Sequence, residues 1–293
     1  MVKVEKQLRI ANLAGRVGIV IGDGIVDVEQ ASRGRFGPSP QAVFDAWAEF
    51  SVWASHAELP APTPYDHKQL GSPTPAPRQL FAIGLNYRQH ADETGFDDPD
   101  THPPVFTKFH SSITGPYGDV TIPPGSHVDW EVELVAIIGR SARNVSVEQA
   151  WDYVAGLTIG QDISERNLQM SGPAPQFSLA KSFPGYGPMG PHLVTIDEFD
   201  NPDALDLGCR INGEVVQKGS TKELIFSTPA LVSYLSRYVT LLPGDAIFTG
   251  TPAGVGMGRT PQRWLKPGDE LVSTIEGIGE MVQRFHAGEQ CVP

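Results

Sequence analysis

The stretch His127-Val-Asp-Trp-Glu-Val-Glu-Leu-Val-Ala-Ile-Ile-Gly139 sets acids at every second place and then runs apolar without a break. Strand side chains alternate between faces, so Asp129, Glu131 and Glu133 fall on one face and Trp130, Val132 and Leu134 on the other. Leu134 to Ile138 lacks the alternation of a strand with one wet face, which predicts a strand running into the core. Alternate carboxylates stand roughly 6.5 to 7 Å apart at Cα. Each is costly to desolvate unless paired or metal-bound. Leaning inward, two of them can share one divalent cation with bonds of about 2.0 to 2.6 Å. A half-exposed strand with a solvated acidic edge fits the same pattern.

Two further pieces bear on that choice. Val154 to Asp162 is a second apolar run ending in an acid, and Lys181 follows in the small-residue context Ser178-Leu-Ala-Lys-Ser182. Three carboxylates on a dication leave a net charge of minus one. A lysine beside them brings the site to zero and offers a donor to an anionic substrate. All-oxygen ligation of this kind suits Mg²⁺, Mn²⁺ or Ca²⁺, whereas zinc draws on His or Cys.

A chain of 293 residues with 40% hydrophobic and 19% charged residues is ordinary for a folded protein. It has room for one domain with an appendage or for two domains. Its formal charge of −12 argues against a general nucleic-acid or anionic-membrane binder, which needs a basic face, and favours a small-molecule ligand. No apolar run approaches the ~18 residues of a membrane span. The start Met1-Val-Lys-Val-Glu-Lys-Gln7 lacks the pattern of a signal peptide, so a cytoplasmic location is expected. Cys209 and Cys291 suggest neither a disulfide framework nor a thiolate metal site.

Along the chain, Gly22-Asp-Gly24 marks a hairpin turn, and Val43, Phe44, Trp47, Phe50 and Trp53 give a helical packing stripe within residues 41–57. Six prolines between Leu59 and Arg78 read as an extended connector, setting a small N-terminal β-rich domain (residues 1–70) apart from residues 71–293. Phe81 opens a short strand that runs into a brief helix ending at Gly95. His90 and Glu93 lie three apart on that helix, where the carboxylate can polarise the imidazole into a base for water; a surface pair has the same spacing. Phe96 to Pro104 looks like a mobile loop able to close over substrate. Helices are expected at residues 147–154 and 228–238, and an Asn-Gly turn at Asn212. Arg166 and Gln169, also three apart, can face the metal, or Arg166 can be a solvated helix charge. The glycine-rich run Thr249 to Gly258 lacks the Lys-Ser/Thr of a phosphate loop, but its hydroxyls and N–H groups can hold a carboxylate or enolate oxygen.

Taken in order, Gly84-Leu-Asn-Tyr87 with His90-Ala91 and Glu93, Asp129 to Leu134, Gln161 to Ser164, Arg166 with Gln169, Lys181-Ser182, Leu242 to Asp245, Thr249 to Pro252 and Gly254 to Gly256 resemble the fumarylacetoacetate hydrolase family over roughly residues 80 to 280. Asn167 departs from the Asp that many members carry, at a position outside the expected ligands. The resemblance implies an α+β, mainly β fold, a mixed β-sandwich roll, assembled as a homodimer. It implies Mg²⁺ or Mn²⁺ on Glu131, Glu133 and Asp162, and contacts from Lys181, Arg166, Gln169, Thr251 and Tyr87 to a keto-acid substrate. His90 and Glu93 would activate water from a lid. The leading expectation is hydrolysis of a C–C bond in a short 2,4-diketo acid of the acylpyruvate type, with His90, Glu93 and Lys181 catalytic. An oxaloacetate-type decarboxylase or a hydroxydienoate isomerase at the same metal is the alternative.

Overall fold

The computed structural model describes residues 2–3, 8–94 and 101–289. Strand β1 (Arg9–Leu13) turns into β2 (Arg16–Ile21) through Ala14 and Gly15, both at positive φ, and β2 turns into β3 (Gly24–Asp27) at Gly22. There follow β4 (Thr63–Pro64), β5 (Leu80–Ile83), β6 (Val105–Thr107), β7 (Tyr117–Ile122), β8 (Val132–Ile138), β9 (Val154–Gln161) and β10 (Gly187–Val194). Strands β11 (Asp206–Ile211), β12 (Glu214–Ser220), β13 (Ala246–Phe248), β14 (Glu270–Ile275) and β15 (Gly279–Ala287) complete the set. The larger of two main sheets has twelve strands along the path β4-β3-β2-β1-β10-β9-β8-β13-β5-β6, with Leu70–Gly71 beside β1 and Ile113–Thr114 beside β10. The smaller runs β7-β15-β14-β11-β12 and packs on β8 and β9.

Strand β8 explains why its sequence does not alternate. Val132, Leu134, Ala136 and Ile138 enter the core between the sheets, against Leu207, Leu271, Met281 and Phe285. Val135 and Ile137 enter a second core on the opposite face, with Phe44, Phe50 and Phe248. Both faces are dry, and each large apolar side chain so buried contributes about 1.5 to 3 kcal/mol. The aromatic stripe forms the second cover: a 3₁₀ turn over Ala42–Ala46 leads into an α-helix over Trp47–His56. Residues 147–153 are 3₁₀, and Thr228–Tyr238 is an α-helix whose cap Ser227 accepts from the Ala230 N–H. Among the described residues no helix is long and apolar enough to cross a membrane.

Two features differ from the sequence expectation. The N-terminal strands do not stand apart: β1 pairs with β10, placing Ile10 opposite Leu193, and Leu70 pairs with Leu13, so the boundary near residue 70 crosses one continuous sheet. The acidic strand is also interrupted. Val128–Asp129 pairs with Ser164–Glu165, and β8 begins at Val132. At the break, backbone donors find side chains instead of a neighbouring strand: Trp130 N–H donates to Asp129 Oδ1, Glu131 N–H to Gln161 Oε1 and Val132 N–H to Gln217 Oε1.

Candidate active site and metal centre

Glu131 and Glu133 lie at the start of β8, and Asp162 follows the end of β9. Because β8 and β9 are antiparallel with Val132 opposite Gln161, these ends meet, and the Asp162 N–H donates to the Glu131 carbonyl at 2.9 Å. One oxygen from each of the three carboxylates falls within 4.8 Å of the others. Two oxygens bound to one hard cation stand at most about 4 to 5 Å apart, so the spacing fits. Relative exposures of 5% for Glu131, 1% for Glu133 and 0% for Asp162 rule out a solvated acidic edge. Asp129, separated from them by the break, serves another purpose described below.

Counter-ions surround two of the three acids. Lys181 Nζ donates to Glu131 Oε2 and Asp162 Oδ2, both at 2.7 Å, and Arg166 Nη2 donates to Glu131 Oε1 at 2.6 Å. Burial alone would raise the Glu131 pKa, but Lys181 and Arg166 outweigh it and bring it down to about 2. Lys108, wholly buried, donates to Asp162 Oδ1 at 2.6 Å and to the Lys181 carbonyl. Glu133 accepts from the Gly250 N–H at 2.7 Å. Burial, then Asp162 and Glu131, push its pKa well above the carboxylate range, more than the nearby Lys181 offsets. A dication beside Glu133 would supply the missing charge, and three carboxylate oxygens with no sulfur or nitrogen match a hard ion. Metal then competes with a proton at Glu133, so Mn²⁺ affinity is expected to rise with pH, up to about tenfold per unit below the Glu133 pKa. Calorimetric titration of Mn²⁺ across neutral pH checks this; an affinity flat in pH defeats it.

The pair read from spacing is built into the site. His90 Nδ1 and Glu93 Oε1 are 2.8 Å apart on the helix Arg88–Thr94, and the Gly254 N–H donates to Glu93 at 2.9 Å. The imidazole is thus held by Glu93 through Nδ1. His90 lines a cavity of about 30 Å³ together with Glu131, Glu133, Arg166, Gln169, Lys181 and Thr251. Its apolar wall is Ile83, Phe106, Phe177 and Met257. The cavity is small, since one water needs about 10 to 15 Å³.

The glycine-rich run does hold carboxylates, but they are the protein's own. Gly250 serves Glu133, Gly254 serves Glu93, and the Gly256 and Met257 N–H groups donate to Asp129 at 2.6 and 3.0 Å. Asp129 in turn accepts from Arg166 Nε at 2.9 Å, which leaves Nη1 for Gln169 Oε1 at 2.7 Å. Arg166 is thus no solvated charge; Asp129 aims it. The Thr251 hydroxyl donates to the Val132 carbonyl and accepts from Gln217. Tyr87 is buried outside the cavity lining, and its hydroxyl has no hydrogen-bond partner among the described residues. Of the loop expected as a lid, residues 96–104, residues 96–100 lie outside the described residues, as does Cys291.

A Cβ on Gly256 would collide with the Arg263 carbonyl and stand 2.8 Å from Asp129 Oδ1. Gly256→Ala is therefore expected to withdraw loop donors from Asp129 and cost about 1 to 3 kcal/mol, read by thermal unfolding. A variant as stable as the parent would mean the loop has slack.

The family model for the C-terminal domain of fumarylacetoacetate (FAA) hydrolase matches residues 79–286. The chain belongs to the fumarylacetoacetate hydrolase family. It is 42% identical to human mitochondrial oxaloacetate tautomerase FAHD2A over 229 residues, 78% of this chain and 72% of that protein. Among solved structures, an HpcE candidate from Mycobacterium smegmatis superposes with a TM-score of 0.93 at 56% identity, covering 96% of this chain and 100% of that one. Maleylpyruvate hydrolase from Sphingobium sp. SYK-6, in complex with manganese(II) and pyruvate, gives a TM-score of 0.77 at 29% identity, covering 96% and 100%. The α+β, mainly β sandwich and the membership in a family of enzymes stand as the resemblance implied.

Proposed function

We propose that this enzyme interconverts the keto and enol forms of a short 2-keto acid of the oxaloacetate type, using Mg²⁺ or Mn²⁺ held by Glu131, Glu133 and Asp162. The observation that carries this reading is that His90, hydrogen-bonded to Glu93, lines the same 30 Å³ cavity as Glu131 and Glu133 of the acid triad. When bound, the dication supplies Lewis-acid stabilisation of enolate charge. His90 takes the proton from C3 of the substrate while Glu93 steadies the imidazolium; O2 then takes a proton from water and the imidazolium returns its own to water, so the enol leaves with His90 neutral again. Charge that moves onto O2 is met by Lys181, whose ammonium spends two of its three N–H groups on Glu131 and Asp162. The 42% identity to an oxaloacetate tautomerase supports this choice of step.

Hydrolysis of a 2,4-diketo acid is the second reading, and the shared fold of the manganese- and pyruvate-bound maleylpyruvate hydrolase favours it. There His90 would take its proton from water. The two readings separate on three assays under Mn²⁺: ultraviolet decay of enol-oxaloacetate, pyruvate release from acetylpyruvate or maleylpyruvate, and pyruvate release from oxaloacetate. Tautomerisation predicts acceleration of the first alone. Efficient pyruvate release from a diketo acid gives the function to the hydrolase; release from oxaloacetate gives it to a decarboxylase.

A further inference from the structure

Lys108 follows β6 at a place where the chain alternates. Val105 and Thr107 are exposed, while Phe106 faces the cavity and Lys108 is buried behind it. Its ammonium bonds Asp162 Oδ1 at 2.6 Å and the carbonyl of Lys181, and the side chain has 0% exposure. Asp162 gives its other oxygen, Oδ2, to the Lys181 ammonium at 2.7 Å. One carboxylate is thus held between two ammonium groups, and the outer of these also grips the backbone of the inner. Lys108 does not line the cavity, so it does not touch a reacting atom.

We propose that Lys108 is a positioning residue that sets the cation site and the catalytic ammonium together. A carboxylate turns readily about its last torsion, because that torsion has broad wells. A charge-assisted bond to Oδ1 fixes which edge of Asp162 is presented. The bond to the Lys181 carbonyl fixes where the chain leaves the short helix Phe177–Ala180, and so where the Lys181 ammonium reaches. As a bare ion pair in the core the contact would give little stability, since burying two charges costs about as much as their attraction returns. Its worth lies in geometry. The inference rests on the reading that Glu131, Glu133 and Asp162 hold the cation.

The test uses the full chain carrying Lys108→Met, close in length but uncharged, with Lys108→Gln as a second variant able to donate to the Lys181 carbonyl. Three quantities are read: thermal unfolding without metal, the electron paramagnetic resonance spectrum of bound Mn²⁺, and kcat with KM at saturating Mn²⁺. Residues that orient a metal ligand from behind are worth about 10- to 100-fold in affinity or activity. The expected result is a folded protein with an altered Mn²⁺ spectrum and kcat lowered about 10- to 100-fold at nearly unchanged KM, the Gln variant being the milder. An unaltered spectrum with native kcat overturns the inference, and so does failure of both variants to fold, which would make Lys108 structural. Native protein that binds no Mn²⁺ overturns the metal reading beneath it; native binding with indifferent variants overturns this inference alone.

Discussion

Glu133→Gln and Asp162→Asn should each abolish cation-dependent turnover, yet move stability in different directions. Asp162 lies between Lys108 and Lys181, each within 2.7 Å. An asparagine carries no charge, so whichever way its amide turns the Lys108 ammonium loses the carboxylate it bonds, whereas Lys181 keeps Glu131. Breaking a buried pair in this way costs about 3 to 5 kcal/mol. Glu133 accepts from the Gly250 N–H, which a Gln oxygen can serve equally. Its raised pKa means that the metal-free fold holds it best as the neutral acid. The sign follows from linkage: stability associated with Glu133 is full below the ordinary value of 4.5 and is lost as pH rises toward the higher folded value. Glu133→Gln removes that loss, so without metal it should be as stable as the parent at low pH and more stable above. Added Mn²⁺ should raise the unfolding temperature of the parent and of neither variant. Equal destabilisation by the two substitutions, or Mn²⁺ stabilisation of Glu133→Gln, would falsify this assignment of charge.

Strand parity is a local property, so the sequence put Glu131 and Glu133 on one face with Asp129 and showed a second apolar run closing on Asp162; that Glu131, Glu133 and Asp162 form the set came from the family resemblance. The break at Trp130 was hidden, since the acceptors that replace the ladder there, Gln161 and Gln217, are distant in sequence. For the same reason nothing near Ile10 announces its partner Leu193, and the proline run suggested a separate domain where the sheet is continuous. Spacing left His90–Glu93 and Arg166 open between site and surface; burial and the glycine-loop donors decide both. Lys108 was missed altogether. A lysine at the end of a short run is ordinarily solvated, and the one available signal was the alternation Val105-Phe-Thr-Lys108, which places Phe106 and Lys108 on one face.

His90→Asn should lower kcat by about 10² to 10⁴, the range for losing a positioned general base, while leaving Mn²⁺ affinity within a few-fold of the parent. Asparagine keeps a donor near the place of Nδ1, so the Glu93 anchor to Gly254 survives, but no imidazole remains to take a proton. Glu93→Gln should be milder. Its oxygen can still accept from Gly254, and what is lost is the negative charge that steadies the imidazolium. The ordering His90→Asn below Glu93→Gln below parent therefore belongs to any mechanism in which His90 moves a proton, whether from C3 or from water. Decarboxylation needs only the cation and a stabilised enolate, so it would leave His90→Asn within about tenfold of the parent on oxaloacetate. Steady-state kinetics at saturating Mn²⁺, beside a Mn²⁺ titration of each variant, distinguishes these cases. A His90→Asn enzyme that loses activity only because it no longer binds Mn²⁺ would reassign His90 from proton transfer to support of the metal site.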